Sequence, residues 1–218
     1  MTEIMMNSLN ILAVGILLAS LMAMTTPRMG QLIRIFTLQS LMLACMAALV
    51  GYHTGSEHLY IIASIIVLLK VFIIPRFLNY SIERIKVKRE LEPLLGIPGS
   101  LLLSAAIVVL AYFVTEPVIS LTEVITRNCL AISLAVTLIG LLLMITRRKA
   151  MTEVIGLLMM ENGLFLAVIS TSHGMPLIVE MGIFFDVLVA VIIMGMFAFR
   201  INETFETSDT SILKRLRY

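Results

Sequence analysis

The chain has 218 residues, 60% of them hydrophobic and 14% charged, with a mean hydropathy of +1.05. Ordinary soluble domains are about 45–50% apolar and about 25% charged, so this composition excludes a compact soluble enzyme, and its wealth of apolar residues excludes disorder. A net charge of +2 without any basic stripe interleaved with aromatics gives no reason to expect nucleic acid as a partner.

A helix crosses the ~30 Å hydrocarbon layer with roughly 20 apolar residues. Seven segments meet that length, at about 6–26, 30–52, 59–79, 98–114, 128–146, 150–172 and 176–200. The expected fold is therefore all-α, a polytopic membrane protein with seven transmembrane helices. The first span lacks a basic leading region and is too long for a signal peptide's apolar stretch, so it reads as a membrane helix. Turn residues mark the breaks, with Thr-Thr-Pro-Arg at 25–28, His-Thr-Gly-Ser at 53–56 and Ser-His-Gly-Met-Pro at 172–176. The fourth span is short, and Pro98 with Gly99 suits its start. Cys45 and Cys129 form no CxxC pair and read as small packing residues, so no metal site is expected.

Lysines and arginines set the orientation. With the N-terminus outside, the inner segments collect Arg28 and Arg34, then Arg76, Arg84, Lys86, Lys88 and Arg89, then Arg147, Arg148 and Lys149, and finally Arg200, Lys214, Arg215 and Arg217. The outer side keeps Arg127, and Lys70 lies within a span. The expected topology places the N-terminus outside and the C-terminus in the cytoplasm. The inner loop at 82–95 mixes both signs, which suits topology-setting charge or a docking surface for a cytoplasmic partner. The chain divides into helices 1–3 over residues 1–80, a loop, helix 4 and an outer loop over 81–127, helices 5–7 over 128–200, and a cytoplasmic tail over 201–218.

Spans 1–3 and 5–7 both begin outside, and their polar residues align. Gln39-Ser40 superposes on Glu161-Asn162, and Lys70-Val71 on Asp186-Val187. That is the pattern of a parallel duplication of a three-helix unit, with span 4 as the connector.

At ~1.5 Å rise per residue, Glu161, Asp186 and Lys70 each lie about 15–16 Å from the start of their spans, near the midplane. A charge there costs about 2.5–3.5 kcal/mol on insertion scales, and such residues mark ion pathways and proton relays by default. The bland alternative is a static ion pair in which Lys70 meets Asp186 or Glu161 and holds helices together. Glu180, about 6 Å from the outer edge, reads as an entrance group or a wet rim residue. Glu153 sits in the first turn of its helix, where a carboxylate suits the N-terminus. Gln39 and Asn162 are neutral hydrogen-bonders, and joining helices is the natural task for Gln39. The histidines, at 53, 58 and 173, fall in outer loops, so they build no haem pair inside the membrane.

The run Leu158-Met-Met-Glu161-Asn162-Gly163, followed by Val179-Glu180-Met-Gly182-Ile183 and Asp186, closely resembles hydrogenase-4 component E, a membrane subunit of group 4 [NiFe]-hydrogenase and formate hydrogenlyase complexes. Leu38-Gln39-Ser40-Leu41 and Lys70-Val71 through Pro75 agree as well, so the resemblance covers nearly the whole chain. More distantly, residues 128–200 look like the K subunit of respiratory complex I and the C subunit of multisubunit cation/proton antiporters. Asp186 matches the K subunit's third-helix carboxylate in place. After Ile155-Gly156-Leu157 that subunit usually has Glu where Leu158 stands here, and Glu161 follows one turn later on the same face.

The resemblance implies a proton-path subunit in the cytoplasmic (inner) membrane of a prokaryote, beside antiporter-like and anchor subunits and cytoplasmic hydrogenase subunits. It places the NiFe centre and iron–sulfur clusters on those partners, and this chain has no Cys set for cluster ligation. Glu161 and Asp186 would be relay members, with Lys70 as the charge that pairs with them. Two other readings stay open: a structural subunit joining antiporter-like and anchor partners, and a subunit of a cation/proton antiporter with no redox module. Because the chain offers few opposite-sign pairs, the isolated subunit is expected to be unstable without partners.

Overall fold

A computed structural model of the chain describes residues 3–55, 57–85, 95–119, 127–147 and 149–171. They form α1 (Glu3–Thr25), α2 (Met29–Thr54), α3 (Glu57–Ile66), a π-helical segment (Val67–Ile73), α4 (Ile74–Ile85), α5 (Gly96–Ile119), α6 (Arg127–Thr146) and α7 (Ala150–Thr171). Among the described residues the chain is helical throughout, with six helices long and apolar enough to span a membrane. The protein is a multi-pass membrane protein. The expected seventh span at 176–200, with Glu180 and Asp186, lies outside the described residues, as does most of the 82–95 loop.

The first six spans fall where the apolar runs place them, with two instructive differences. The third span, Leu59–Tyr80, is one helix in path but three in hydrogen bonding, since α3 and α4 flank the π-helical segment. Hydropathy is blind to that change of register. The fourth span continues through Glu116 and Pro117 to Ile119, beyond the expected end at 114. Buried Thr115 turns its hydroxyl back onto the Ala111 carbonyl at 2.7 Å, so this polar residue is satisfied inside the helix and need not end it. The same device hides Ser20, Thr37, Ser64, Ser100, Thr137 and Thr146, each donating to the carbonyl four residues back. In a medium without water each such hydroxyl needs an internal partner. The helix breaks follow turn chemistry: α2 ends on Gly55, whose φ of 65° lies in the left-handed region where glycine carries no Cβ penalty.

Apolar residues occur both inside and outside this bundle. Leu9, Ile16, Phe36, Leu43, Ile66, Val136 and Leu166 are buried, while Ile11, Leu18, Met22, Leu68, Phe72, Leu102 and Phe113 are exposed. Outward-facing side chains of that kind match lipid. α2 sits centrally, packed against α1, α3, the π-helical segment and α7, and α6 lies closest of all to α7. Gln39, Ser40, Lys70, Glu161 and Asn162 are buried where α2, the third span and α7 meet.

The turns at one end of the bundle are joined by an arginine whose place at a span end suits a topology-setting charge. Arg147, 4% exposed, donates from its guanidinium to the carbonyls of Met24 at 2.9 Å and Thr26 at 3.3 Å, at the end of α1. A cation there answers both the open carbonyls and the negative end of the helix dipole. Arg147→Ala is expected to cost about 1.5–3 kcal/mol, the loss of charge-assisted hydrogen bonds. The check is the unfolding midpoint in detergent, expected to fall by roughly 5 °C, with Arg147→Lys intermediate because a lysine lacks the planar fork.

Candidate functional site

The site is built around Lys70, in the middle of the π-helical segment and only 1% exposed. The wider turn of a π-helix directs side chains differently from the α-helix before it, and such segments recur at functional positions. Here it directs Lys70 toward α7. Nζ lies 3.2 Å from Glu161 Oε2, and Glu161 is likewise 1% exposed. The same nitrogen donates to Asn162 Oδ1 at 3.1 Å and stands 4.9 Å from the centre of the Phe165 ring, a cation–π contact.

Asn162 extends the cluster to α2. Its amide nitrogen donates to Gln39 Oε1 at 3.2 Å and to Ser40 Oγ at 3.0 Å. Gln39 then donates to Ser20 Oγ in α1 at 2.8 Å. Ser20, Gln39, Ser40 and Asn162 are all fully buried. One hydrogen-bonded network thus ties together α1, α2, the third span and α7, at about 16 Å from the start of α7.

The structure therefore brings together Lys70, Glu161, Asn162 and Gln39. The two polar pairs that superpose in sequence, Gln39-Ser40 and Glu161-Asn162, sit side by side in contact. Glu153 stands apart, exposed in the first turn of α7. Asp186 and Glu180 lie outside the described residues, so the expected correspondence of Lys70 with Asp186 does too. Of the two partners weighed for Lys70, the π-helical turn brings it to Glu161 of α7, an opposite-sign pair within one subunit. Ser20 escaped sequence reading because one serine in an apolar span is ordinary; its signal would have been its place on the α1 face that meets Gln39. Among the described residues, no three His, Cys, Asp or Glu side chains come close enough to hold a metal ion.

Hydrogenase-4 component E of Escherichia coli K12 is 31% identical over 182 residues, covering 84% of each chain. The chain belongs to the hydrogenase-4 component E family. The Shigella flexneri component E matches to the same degree. An uncharacterised Mycobacterium tuberculosis protein is 31% identical over 204 residues, 93% of each chain. No family model and no solved structure matches. The stretches aligned with the family are long enough to include the spans that carry Gln39, Lys70 and Glu161.

Proposed function

We propose that the chain is a membrane-arm subunit of a complex I-related [NiFe]-hydrogenase and contributes to a transmembrane proton (or cation) path coupled to redox chemistry in partner subunits. Membership in the component E family supports the hydrogenase assignment. The observation that carries the path is the Lys70–Glu161 pair, an amine and a carboxylate 3.2 Å apart near the midplane. Intramembrane groups of this kind pair with one another and mark proton relays. Lys70 and Glu161 are one station, and Asp186 is a second in the seventh span. The antiporter-like and anchor subunits supply the remaining path, and the NiFe centre and iron–sulfur clusters sit on the cytoplasmic partners. The lysine and arginine distribution turns the α1–α2 end toward the cytoplasm of a prokaryotic inner membrane.

Glu161→Gln in the intact complex tests the reading, because it keeps size and hydrogen bonding while removing the exchangeable proton. In sealed vesicles, hydrogenase turnover with an artificial electron donor should persist while the pH gradient falls at least tenfold. Glu161→Asp should restore part of it. A Glu161→Gln complex that builds the native gradient rules the path out.

A second reading rests on how closed the pair is. Nζ is held at once by Glu161, Asn162 and the Phe165 face, which also suits a fixed ion pair in a scaffold subunit joining its neighbours. An antiporter subunit without a redox module is separated from both by its co-purifying proteins, which would lack a NiFe large subunit.

A further inference from the structure

Lys70 stands at one end of a hydrogen-bond chain whose polarity is forced. An ammonium group donates and cannot accept, so Asn162 must turn its carbonyl oxygen toward Nζ, at 3.1 Å. The Asn162 nitrogen then faces away, donating to Gln39 Oε1 and Ser40 Oγ. Gln39, having presented its oxygen, points its nitrogen at Ser20 Oγ. Ser20 in turn gives its hydrogen to the Ile16 carbonyl at 2.9 Å. Every donor points from Lys70 toward α1, and the chain ends on backbone.

Such a string looks like a proton wire. Ser20 lies five residues before the end of α1 at Thr25, about 8 Å along the helix, so a conducting string would carry protons from the midplane about halfway toward the α1–α2 end. Its chemistry forbids that. A hydroxyl, a water or a carboxylate can accept one proton and release another and be itself again. A carboxamide holds its lone pairs on oxygen and its hydrogens on nitrogen. A proton taken at Oδ1 with another lost from Nδ2 leaves an imidic acid, a high-energy tautomer. Asn162 and Gln39 place two carboxamides in series.

We propose that Asn162 and Gln39 form a carboxamide barrier that keeps protons at Lys70 from escaping through Ser20 toward the α1–α2 end. Exchange then runs between Lys70 and Glu161: the proton leaves Nζ for Oε2, giving a neutral amine and a carboxylic acid. The barrier rests on the proton-path reading, but its test is separate from turnover.

The intact complex is sealed in vesicles, a pH gradient is imposed without electron donor, and its decay is followed with a trapped pH dye. Asn162→Asp with Gln39→Glu turns both amides into carboxylates of nearly the same size and is expected to speed the decay about tenfold. Adding Lys70→Met together with Glu161→Gln to that pair, so that neither buried charge is left alone, should restore the native decay, because the leak starts at the Lys70–Glu161 station. Should the acidic pair fail to assemble, Asn162→Ser with Gln39→Ser opens the same route with hydroxyls and space for water, and carries the same expectation. A native decay in whichever pair assembles overturns the barrier, and so does a leak that survives Lys70→Met with Glu161→Gln, which would be packing damage. Failure of the proton path shows elsewhere, in a Glu161→Gln complex that still pumps.

Discussion

Lys70→Met is expected to prevent assembly of the complex, and Lys70→Met with Glu161→Gln together to restore it. The single change leaves the Glu161 carboxylate, 1% exposed, without its cation. Removing one partner of a buried ion pair costs about 3–5 kcal/mol, whereas replacing both by neutral groups of similar shape is often tolerated. Against a typical stability of about 5–15 kcal/mol, the single loss is a large fraction. Asn162 suffers less, since its Oδ1 loses one donor while its Nδ2 keeps Gln39 and Ser40. The measurement is recovery of the subunit with its partners from solubilised membranes, in both singles and the double. The double also decides between the two readings of the pair. If it assembles and still builds the native gradient, the charges are architectural; if it assembles without pumping, they are a station. A single Lys70→Met variant that assembles normally would show that the pair contributes little to the fold.

The elements of this site were unequally legible in the sequence. Lys70 and Glu161 stand out because a charge in an apolar run is costly wherever it points, and counting residues from the span ends gives the depth of each. That Glu161 is the partner of Lys70 could not be chosen over Asp186 by counting, since depth says nothing about azimuth. The azimuth of Lys70 is set by the π-helical turn, a feature of backbone hydrogen bonding that leaves no trace in hydropathy. Arg147 carried a different ambiguity. Basic residues at span ends mostly set orientation, and burial against the α1 carbonyls appears only once the two turns are side by side. Gln39 was readable as a residue that joins helices, but the direction of its amide follows from Lys70, two hydrogen bonds away through Asn162. Six spans were legible from length and apolarity alone, because a lipid-facing helix has to be apolar over its whole crossing.

Glycines at the α6–α7 contact are expected to be as intolerant as the charges, for a reason of space. A Cβ added at Gly140 would lie 2.5 Å from the Met160 backbone nitrogen and 2.8 Å from its Cα. One added at Gly163 would lie 2.5 Å from Thr137 Oγ1 and 2.6 Å from the Thr137 backbone nitrogen. Backbone cannot swing aside as a side chain can, so either alanine forces the helices apart. Small residues at membrane helix contacts exist to permit that approach, because apolar association in lipid rests on close van der Waals packing. Overpacking of this kind costs about 1–3 kcal/mol and occasionally more. The damage reaches the site directly, because Gly163 follows Glu161 and Asn162 on α7. Gly140→Ala and Gly163→Ala should therefore lower both the unfolding midpoint and the proton gradient, with Gly140→Leu and Gly163→Leu abolishing assembly. Gly30 provides the control: an added Cβ there meets nothing within 4 Å. Gly30→Ala should be neutral or stabilising by up to about 1 kcal/mol, the helix-propensity gain of alanine over glycine. Equal midpoints for Gly30→Ala, Gly140→Ala and Gly163→Ala would mean that α6 and α7 can separate without cost, and that the position of Glu161 does not depend on their contact.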